Sequence, residues 1–279
     1  MKRFLFSATA LAALACAAPG ALAQSAESVV LAKRLVVVSG LAVQLKAFPK
    51  QVDQEVAQAR GHMPDEVLDA LAGAARESFG PSRLQEDIER TLAQSLPAGE
   101  MKKAIAWLET GPGRRVTRAE ELASDGMTHE AVQAYVEGTQ RRPPSERRNR
   151  LIVELVAATT AVEGTVRLLE SIALGIALGM DATQPVQKRL GLAALQERLR
   201  TALPAERLRR SVVEAMPGLY GFTYRDISDA DLAAYLAFNR SAHGKRYNEA
   251  MMKAFTDALT RASVRVGALM DARLQNKAA

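Results

Sequence analysis

Cysteine, histidine and aromatic residues are scarce in this sequence of 279 residues, which has one cysteine, three histidines and 5% aromatic residues. The only thiol, Cys16, lies in an apolar N-terminal segment. Once that segment is removed, the chain has no disulfide, no thiol for catalysis and no thiolate metal ligand. His62, His129 and His243 are far apart and lack a second ligand at metal-binding spacing, so neither a metal nor a cofactor is expected.

Catalytic motifs are missing as well. The sequence has no His-Glu-x-x-His, no Gly-x-Ser-x-Gly and no phosphate-binding loop. Its acidic residues fall at the first turns and on the exposed faces of predicted helices, as helix capping explains. We therefore expect a non-enzymatic protein, and a hydrolase without a recognisable motif, such as a glycosidase with two carboxylates, is the third hypothesis.

The first 23 residues have the three parts of a cleavable secretory signal peptide. Lys2-Arg3 is basic, residues 4–18 form an uncharged apolar run, and Ala21 and Ala23 are the small residues that signal peptidase recognises. The run is shorter than the roughly 20 residues that span a bilayer core. We predict cleavage after Ala23 and a periplasmic or secreted mature protein without a transmembrane span. Alternatively, Ala13-Leu14-Ala15-Cys16 serves as a lipoprotein box and Cys16 is lipidated.

Apolar residues make up 48% of the chain and are mostly Ala, Leu and Val, which suits close helix packing. The formal net charge is +6, and it is +4 once Lys2 and Arg3 are removed. A modest basic balance is compatible with an envelope protein, an anionic lipid or an envelope polymer as partner. Export makes nucleic acid an improbable partner.

Helical periodicity runs through the chain, and no alternating strand pattern appears, which predicts an all-α, multi-helix bundle. Pro64 is expected at the start of one helix. Ser82 with Gln85, and Ser228 with Asp231, have the spacing of N-terminal capping boxes. Gly111-Pro112-Gly113 and Pro217-Gly218 are expected between helices. Gly175 and Gly179 predict a close crossing of two helices.

Three blocks of sequence recur at increasing offsets, which predicts two divergent helical repeats. Leu31, Leu35 and Val36 recur 120 positions later, and Arg83, Leu84, Ile88 and Leu92 recur as similar residues 124 positions later. The third block, at an offset of 131, pairs Trp107 with Phe238, Gly113 with Gly244, and Arg114 with Lys245. Chance similarity between helices explains the first block equally well, but not the third. The repeats cover residues 25–140 and 146–275, with a linker at 141–150.

The third block also resembles a known family. Its second copy reads Phe-Asn-Arg-Ser-Ala-His-Gly-Lys over residues 238–245. This is similar to the stretch Phe-Tyr-x-Ser-Pro-x-Gly-Lys of the domain-of-unknown-function family 2059, which contains exported bacterial helical proteins. The matching residues are Phe238, Ser241, Gly244 and Lys245, and in the first copy Trp107, Thr110, Gly113 and Arg114. The resemblance implies an exported helical protein and supplies no activity, cofactor or catalytic residue.

The motif has a physical interpretation as a sharp corner between two helices. We expect its glycine to adopt a positive φ, which other residues avoid because of their Cβ atom. Ser241 with His243 would resemble a nucleophile and a base, but the first copy has threonine and proline at these positions. A role in the turn is therefore the favoured prediction.

Five arginines in the linker form the candidate contact for an anionic partner. They are Arg141, Arg142, Arg147, Arg148 and Arg150. A solvated linker with arginines near helix ends is the alternative. Together these features favour an envelope interaction or scaffold protein, and the second hypothesis is a carrier that holds an apolar ligand or lipid between its helices.

Overall fold

A computed structural model describes residues 25–47, 49–50, 53, 64–126, 128–182, 184–202 and 204–278. Every regular element in these ranges is helical and none is a strand, so the predicted all-α, multi-helix fold is confirmed. The predicted signal peptide, the cleavage site after Ala23 and the alternative at Cys16 lie outside the described residues. Two short 3₁₀ turns, Leu45–Ala47 and Val186–Lys188, accompany the α-helices.

Thirteen α-helices are found in the described part of the chain. The first half contains α1 (Ala26–Val38), α2 (Leu41–Gln44), α3 (Asp65–Ser78), α4 (Pro81–Ser95), α5 (Ala98–Leu108), α6 (Gly111–Gly126) and α7 (His129–Arg141). The second half contains α8 (Glu146–Ala158), α9 (Ala161–Ala182), α10 (Gly191–Ala202), α11 (Ala205–Thr223), α12 (Asp229–Arg240) and α13 (Ala242–Ala278).

Side-chain caps and prolines explain where several helices begin. Ser228 Oγ accepts a hydrogen bond from the backbone N–H of Asp231 at 3.1 Å, so the capping box predicted there is present. The box predicted at Ser82 is wrong, because α4 already begins at Pro81, whose missing N–H suits a first helical turn. Pro217 lies inside α11 and does not end it. Its ring costs that helix one hydrogen bond, which neighbouring packing has to offset.

Five pairs of helices begin at positions separated by the offsets that the sequence blocks have. The offset is 120 for α1 with α8 and for α2 with α9, 124 for α4 with α11, and 131 for α5 with α12 and for α6 with α13. The first pair also shares its cap, since Ser25 and Ser145 each accept from the backbone N–H three residues later. These five pairs therefore follow one another in the same order in both halves, whereas α3 and α10 begin 126 positions apart.

The joint after the first helix of each half also has the same backbone shape. Gly40 follows α1 with φ of 73°, and Thr160 follows α8 with φ of 56°. Thr160 is the only non-glycine residue with positive φ among the described residues. A threonine in this region is strained. The second half thus has the left-handed backbone conformation at this joint although threonine does not favour it.

The long helix α13 runs through the centre of the fold and packs against α3, α4, α5, α9 and α12. Small residues let its neighbours approach, because its buried face carries Ala254, Ala258, Leu259, Ala262, Val266 and Met270. The predicted close crossing is at its contact with α9. A Cβ atom added at Gly175 would lie 3.4 Å from Ser263 Cβ, and one at Gly179 would lie 3.7 Å from Met270 Cγ.

Gly175→Leu is expected to lower the free energy of unfolding by about 1–3 kcal/mol, because the new side chain would overpack the crossing with α13. Ile176→Leu is the matched control, since Ile176 is the next residue and is exposed. Urea denaturation followed by circular dichroism measures both. An unchanged midpoint for Gly175→Leu would show that this face of α9 is not packed.

Among the described residues, no single helix has both the length and the apolar composition needed to cross a membrane. Ala26–Val38 and Leu41–Ala47 meet these criteria only when they are taken together, and they are bent by 66° at their joint.

Candidate functional site

The corner between α12 and α13 contains the second copy of the motif. Ser241 Oγ donates to the carbonyl oxygen of Phe238 at 2.6 Å and accepts from the N–H of Gly244 at 3.0 Å. One hydroxyl thus bonds the last turn of α12 and the first turn of α13. This explains why the motif needs a small hydroxyl residue three positions after the aromatic residue.

The corner between α5 and α6 is built in the same way. Thr110 Oγ1 donates to the carbonyl oxygen of Trp107 at 2.7 Å and accepts from the N–H of Gly113 at 3.2 Å. The two motif copies therefore adopt one local structure, residue for residue.

The motif glycines serve close approach of the backbone, and the expected positive φ is wrong. The only described glycines with positive φ are Gly40 and Gly191. A Cβ atom added at Gly244 would overlap the carbonyl oxygen of Phe238, and one at Gly113 would lie 2.7 Å from the carbonyl oxygen of Leu108. Consecutive helices meet so tightly here that no side chain fits at this position.

Two ion pairs connect the copies reciprocally. Arg115 of the first copy forms a bidentate pair with Asp231 of the second, with Nε–Oδ2 and Nη2–Oδ1 distances of 2.8 and 2.6 Å. In the opposite direction, Arg246 Nη1 of the second copy lies 3.0 Å from Glu100 Oε1 of the first. Both arginines and both acids are matched at the offset of 131. Contacts of this kind, in which i meets j and j meets i, define a two-fold interface.

Hydrogen bonds and charges at these pairs favour the ionised carboxylates. The bond between His243 Nδ1 and Glu100 Oε2, at 2.6 Å, lowers the pKa of Glu100, and the neighbouring charges of His243 and Lys103 add to it. The hydrogen bond from Arg115 similarly lowers the pKa of Asp231. Both acids therefore hold the junction together at neutral pH.

Two stacked aromatic rings lie at the centre of this junction. The ring centroids of Trp107 and Phe238 are 4.3 Å apart with an interplanar angle of 10°. Tyr235 stacks on Trp107 at 5.3 Å. Trp107 and Phe238 are also matched at the offset of 131, so the stack joins corresponding positions of the two sequence blocks.

A carboxyl group lies among tyrosines beside these rings. Oε1 of the half-buried Glu120 accepts from the hydroxyl of Tyr224 at 2.6 Å and from that of Tyr235 at 3.1 Å. Burial raises the pKa of Glu120, and the two hydrogen bonds only partly offset this effect. Burial also raises the pKa values of Tyr224 and Tyr235 well above 10, so both hydroxyls keep their protons.

Glu120→Gln is expected to stabilise the protein more at pH 8 than at pH 5. The unfolded carboxyl titrates near 4.5 and the folded one at higher pH, so the folded state holds the extra proton between these values. The free energy of unfolding therefore falls as pH rises through this window. Glutamine removes that loss while its carbonyl oxygen still accepts from both tyrosines. Urea denaturation of both proteins at the two pH values measures the difference, and an equal difference at both would contradict the prediction.

Sequence reasoning did not single out Glu120 or the tyrosines. A signal was present, because four of the five tyrosines fall between residues 220 and 247. Glu120 had no such signal. The motif residues Arg114 and Lys245 are exposed, and the cross-copy pairs use the arginines that follow them, Arg115 and Arg246.

The five candidate arginines do not form one surface. The side chain of Arg148 is only 18% exposed, and it donates to Asp229 and to the carbonyl oxygen of Ile227, both at 2.8 Å. It thus fastens the corner between α11 and α12. The four exposed arginines are Arg141, Arg142, Arg147 and Arg150. The linker is also shorter than predicted, since only residues 142–145 lie between α7 and α8.

Neither a metal-binding cluster among the described side chains nor a similarity to known proteins was found. No three His, Cys, Asp or Glu residues of the described ranges come together in a way that would hold a metal ion. No protein-family model, curated protein or solved structure matches the chain.

Two open clefts lie outside the junction. The larger, of about 400 Å³, lies between α9, α10 and α13 and is lined by apolar Ala173, Leu174 and Leu199, with Arg167 and Arg200 among its polar residues. The smaller, of about 290 Å³, lies between α7, α8 and α11. Helix α7 has no buried residue, so it covers this second cleft loosely.

Proposed function

We propose that the chain is an exported, non-enzymatic interaction or scaffold protein of the bacterial envelope, built from two divergent copies of one helical unit. The observation that carries the proposal is the reciprocal junction around Trp107 and Phe238. The residues that stand out most in the sequence form helix corners, ion pairs and a ring stack that join the copies. The aromatic, hydroxyl and glycine positions of the motif thus have a structural explanation, which supports a scaffold.

The crossing of the last helices supports the duplicated unit. Helices α6 and α7, at the end of the first half, together match the long helix α13, at the end of the second half, at the offset of 131. The end of α13 packs on α4, while α7 packs on α11, which is the counterpart of α4. Each copy therefore extends its last helical segment over the other copy, as the subunits of an intertwined dimer do.

Membership in the domain-of-unknown-function family 2059 and export through a signal peptide are parts of the same proposal. The motif copies share the aromatic, hydroxyl, glycine and basic positions of that family. Intact-mass analysis of protein isolated from its host tests the export. A mature chain that begins at Gln24 is expected, a lipid-modified chain that begins at Cys16 would favour the lipoprotein alternative, and a chain that retains Met1 would contradict export.

The exposed arginines between the halves are proposed as the contact for an acidic partner. Arg141, Arg142, Arg147 and Arg150 lie at the end of α7, in the linker and at the start of α8. Among the described residues, the acids that pair with them are Glu137, with Arg141 at 3.8 Å, and Glu146, with Arg150 at 3.5 Å. Long charged side chains near such a short linker present an accessible cationic surface.

Native mass spectrometry of protein purified from its own periplasm tests the interaction function. We expect a co-purifying acidic protein or polymer that is lost in the double variant Arg142→Gln/Arg147→Gln. The control is Arg198→Gln/Arg210→Gln, which removes two exposed arginines elsewhere. Turnover of an envelope substrate in an untargeted muropeptide screen would overturn the non-enzymatic proposal.

A carrier of an apolar ligand is the second candidate function, and the larger cleft favours it. Its volume of about 400 Å³ lies within the range of small-molecule sites. Apolar residues beside Arg167 and Arg200 suit an apolar chain with an acidic head. In the same native mass spectra, a bound lipid that is lost on Ala173→Trp would support the carrier.

A further inference from the structure

A carboxylate on α4 is surrounded by more positive charge than it balances. Asp87 is buried, and its Oδ1 lies 2.9 Å from Arg90 Nη1 and 3.4 Å from Arg261 Nε. Its Oδ2 lies 3.0 Å from Arg265 Nη1. Three guanidinium groups thus meet one carboxylate, which leaves an excess of two positive charges where α4 and α13 meet.

Buried donors without a partner concentrate at the same place. Among the described residues, the buried side-chain nitrogen and oxygen atoms that lack a hydrogen-bond partner are Ser78 Oγ, Arg261 Nε and Arg265 Nε. Ser78 is fully buried, and its carbonyl oxygen accepts from Arg265 Nη2 at 3.1 Å, so all three atoms belong to the Asp87 cluster. Buried donors are normally satisfied, and their grouping here requires an explanation.

The other multi-cation site does not share this feature. Glu100 also faces two cations, Lys103 and Arg246, and contacts the imidazole of His243. No buried donor at that site lacks a partner within the part of the chain that the structure describes. An excess of cations alone therefore does not produce unpaired donors in this fold.

We infer that the Asp87 cluster binds an oxyanion of the phosphate type through Arg90, Arg261 and Arg265. Two of the three side chains are reachable, because that of Arg90 is 54% exposed and that of Arg261 is 39% exposed, while that of Arg265 is 25% exposed and lies deeper. The excess of two charges matches a phosphate group, which carries roughly −1.5 to −2 at neutral pH. The planar guanidinium fork provides paired donors for its oxygens.

Thermal unfolding in sodium phosphate, against sodium chloride at equal ionic strength, tests the site in the full mature chain. Phosphate at about five times its Kd is expected to raise the Tm by about 2–4 °C. Asp87→Asn removes the competing carboxylate and is expected to show a larger phosphate-specific rise. Arg90→Gln, at an exposed side chain, is expected to weaken phosphate binding at least about tenfold in calorimetric titration, since it removes a charge-assisted bond.

The matched control is Arg209→Gln, which removes an exposed arginine of α11 that pairs with the exposed Glu163 of α9. It is expected to bind phosphate as the wild type does. A Tm that responds equally to phosphate and chloride in the wild type and in Asp87→Asn would overturn the proposal. Equal loss of binding in Arg90→Gln and Arg209→Gln would overturn it too.

Vesicles distinguish the two sources of such a group. A lipid headgroup would be identified if the protein co-sediments with phosphatidylglycerol vesicles but not with pure phosphatidylcholine vesicles, and if free phosphate reverses this binding. Phosphate binding without vesicle binding would identify a soluble phosphorylated ligand. Either result supports the site, and neither depends on the proposed scaffold function.

Discussion

Replacing Gly244 by alanine is expected to lower the free energy of unfolding by about 3 kcal/mol or more, among the largest effects of a single methyl group in this protein. The added Cβ would overlap the carbonyl oxygen of Phe238 and lie 2.9 Å from Asn239 Cα. These are backbone atoms of the preceding helix, so no rotamer change relieves the overlap. The corner between α12 and α13 would have to open, and with it the hydrogen bonds of Ser241 and the ring stack.

Gly138→Ala is the matched control for this substitution. Gly138 lies inside α7, and an added Cβ would have no atom within 4 Å. Alanine there is expected to stabilise the protein by about 0.5–1 kcal/mol, because it restricts the unfolded chain and favours helix. Chemical denaturation followed at 222 nm measures both variants. A loss below about 1 kcal/mol for Gly244→Ala would show that the corner is looser than the structure indicates.

Local sequence signals predicted the all-α class and the start of some helices. Ser228 caps α12 as its spacing predicted, because a capping box depends only on residues three apart. The offsets of the sequence blocks also coincide with the helix starts in both halves. Both kinds of signal depend on the order of residues along the chain, so they can be recognised in one sequence.

Residues that can serve two different local roles were predicted less reliably. Pro217 and Gly218 form a pair typical of loops, yet they lie inside α11, where packing against α7 and α8 holds the helix together. Gly244 was expected to serve through its φ, but it serves through its missing Cβ. Glycine permits both, and only the position of the preceding helix decides between them.

The buried polar clusters were beyond local reasoning. Glu120 and Asp87 have the spacing of ordinary surface acids on helices α6 and α4. Apart from Arg90, three residues from Asp87, their partners are Tyr224, which follows α11, and residues of α12 and α13, all more than 100 positions away in the chain. The offsets of the sequence blocks do not reveal them either, since the residue 131 positions after Glu120 is Met251 and the residue 124 positions after Asp87 is Ser211. Only the packed fold shows these sites.

Phe238→Ala is expected to lower the free energy of unfolding by about 3–5 kcal/mol, because it removes a buried ring from the centre of the junction. Phe238 is 8% exposed, and its ring contacts Trp107 and, at a centroid distance of 5.9 Å, Tyr247. The cavity left behind cannot close easily. The helices on either side are held by the Arg115–Asp231 pair and by the hydrogen bonds of Ser241. Phe238→Leu keeps most of the volume and is expected to lose less than about 1.5 kcal/mol.

The single tryptophan allows this loss to be assigned to the junction itself. Trp107 emission reports the stacked pair, whereas circular dichroism reports all helices, and the two unfolding curves of the wild type are expected to coincide. In a double-mutant cycle with Trp107→Ala, the pair is expected to be coupled by about 0.5–1.5 kcal/mol beyond the burial of each ring. If the copies join through these rings, removing either ring is expected to destabilise both helix corners. Two additive losses would mean that each half stabilises its own aromatic residue and that the stacking contributes nothing to their union.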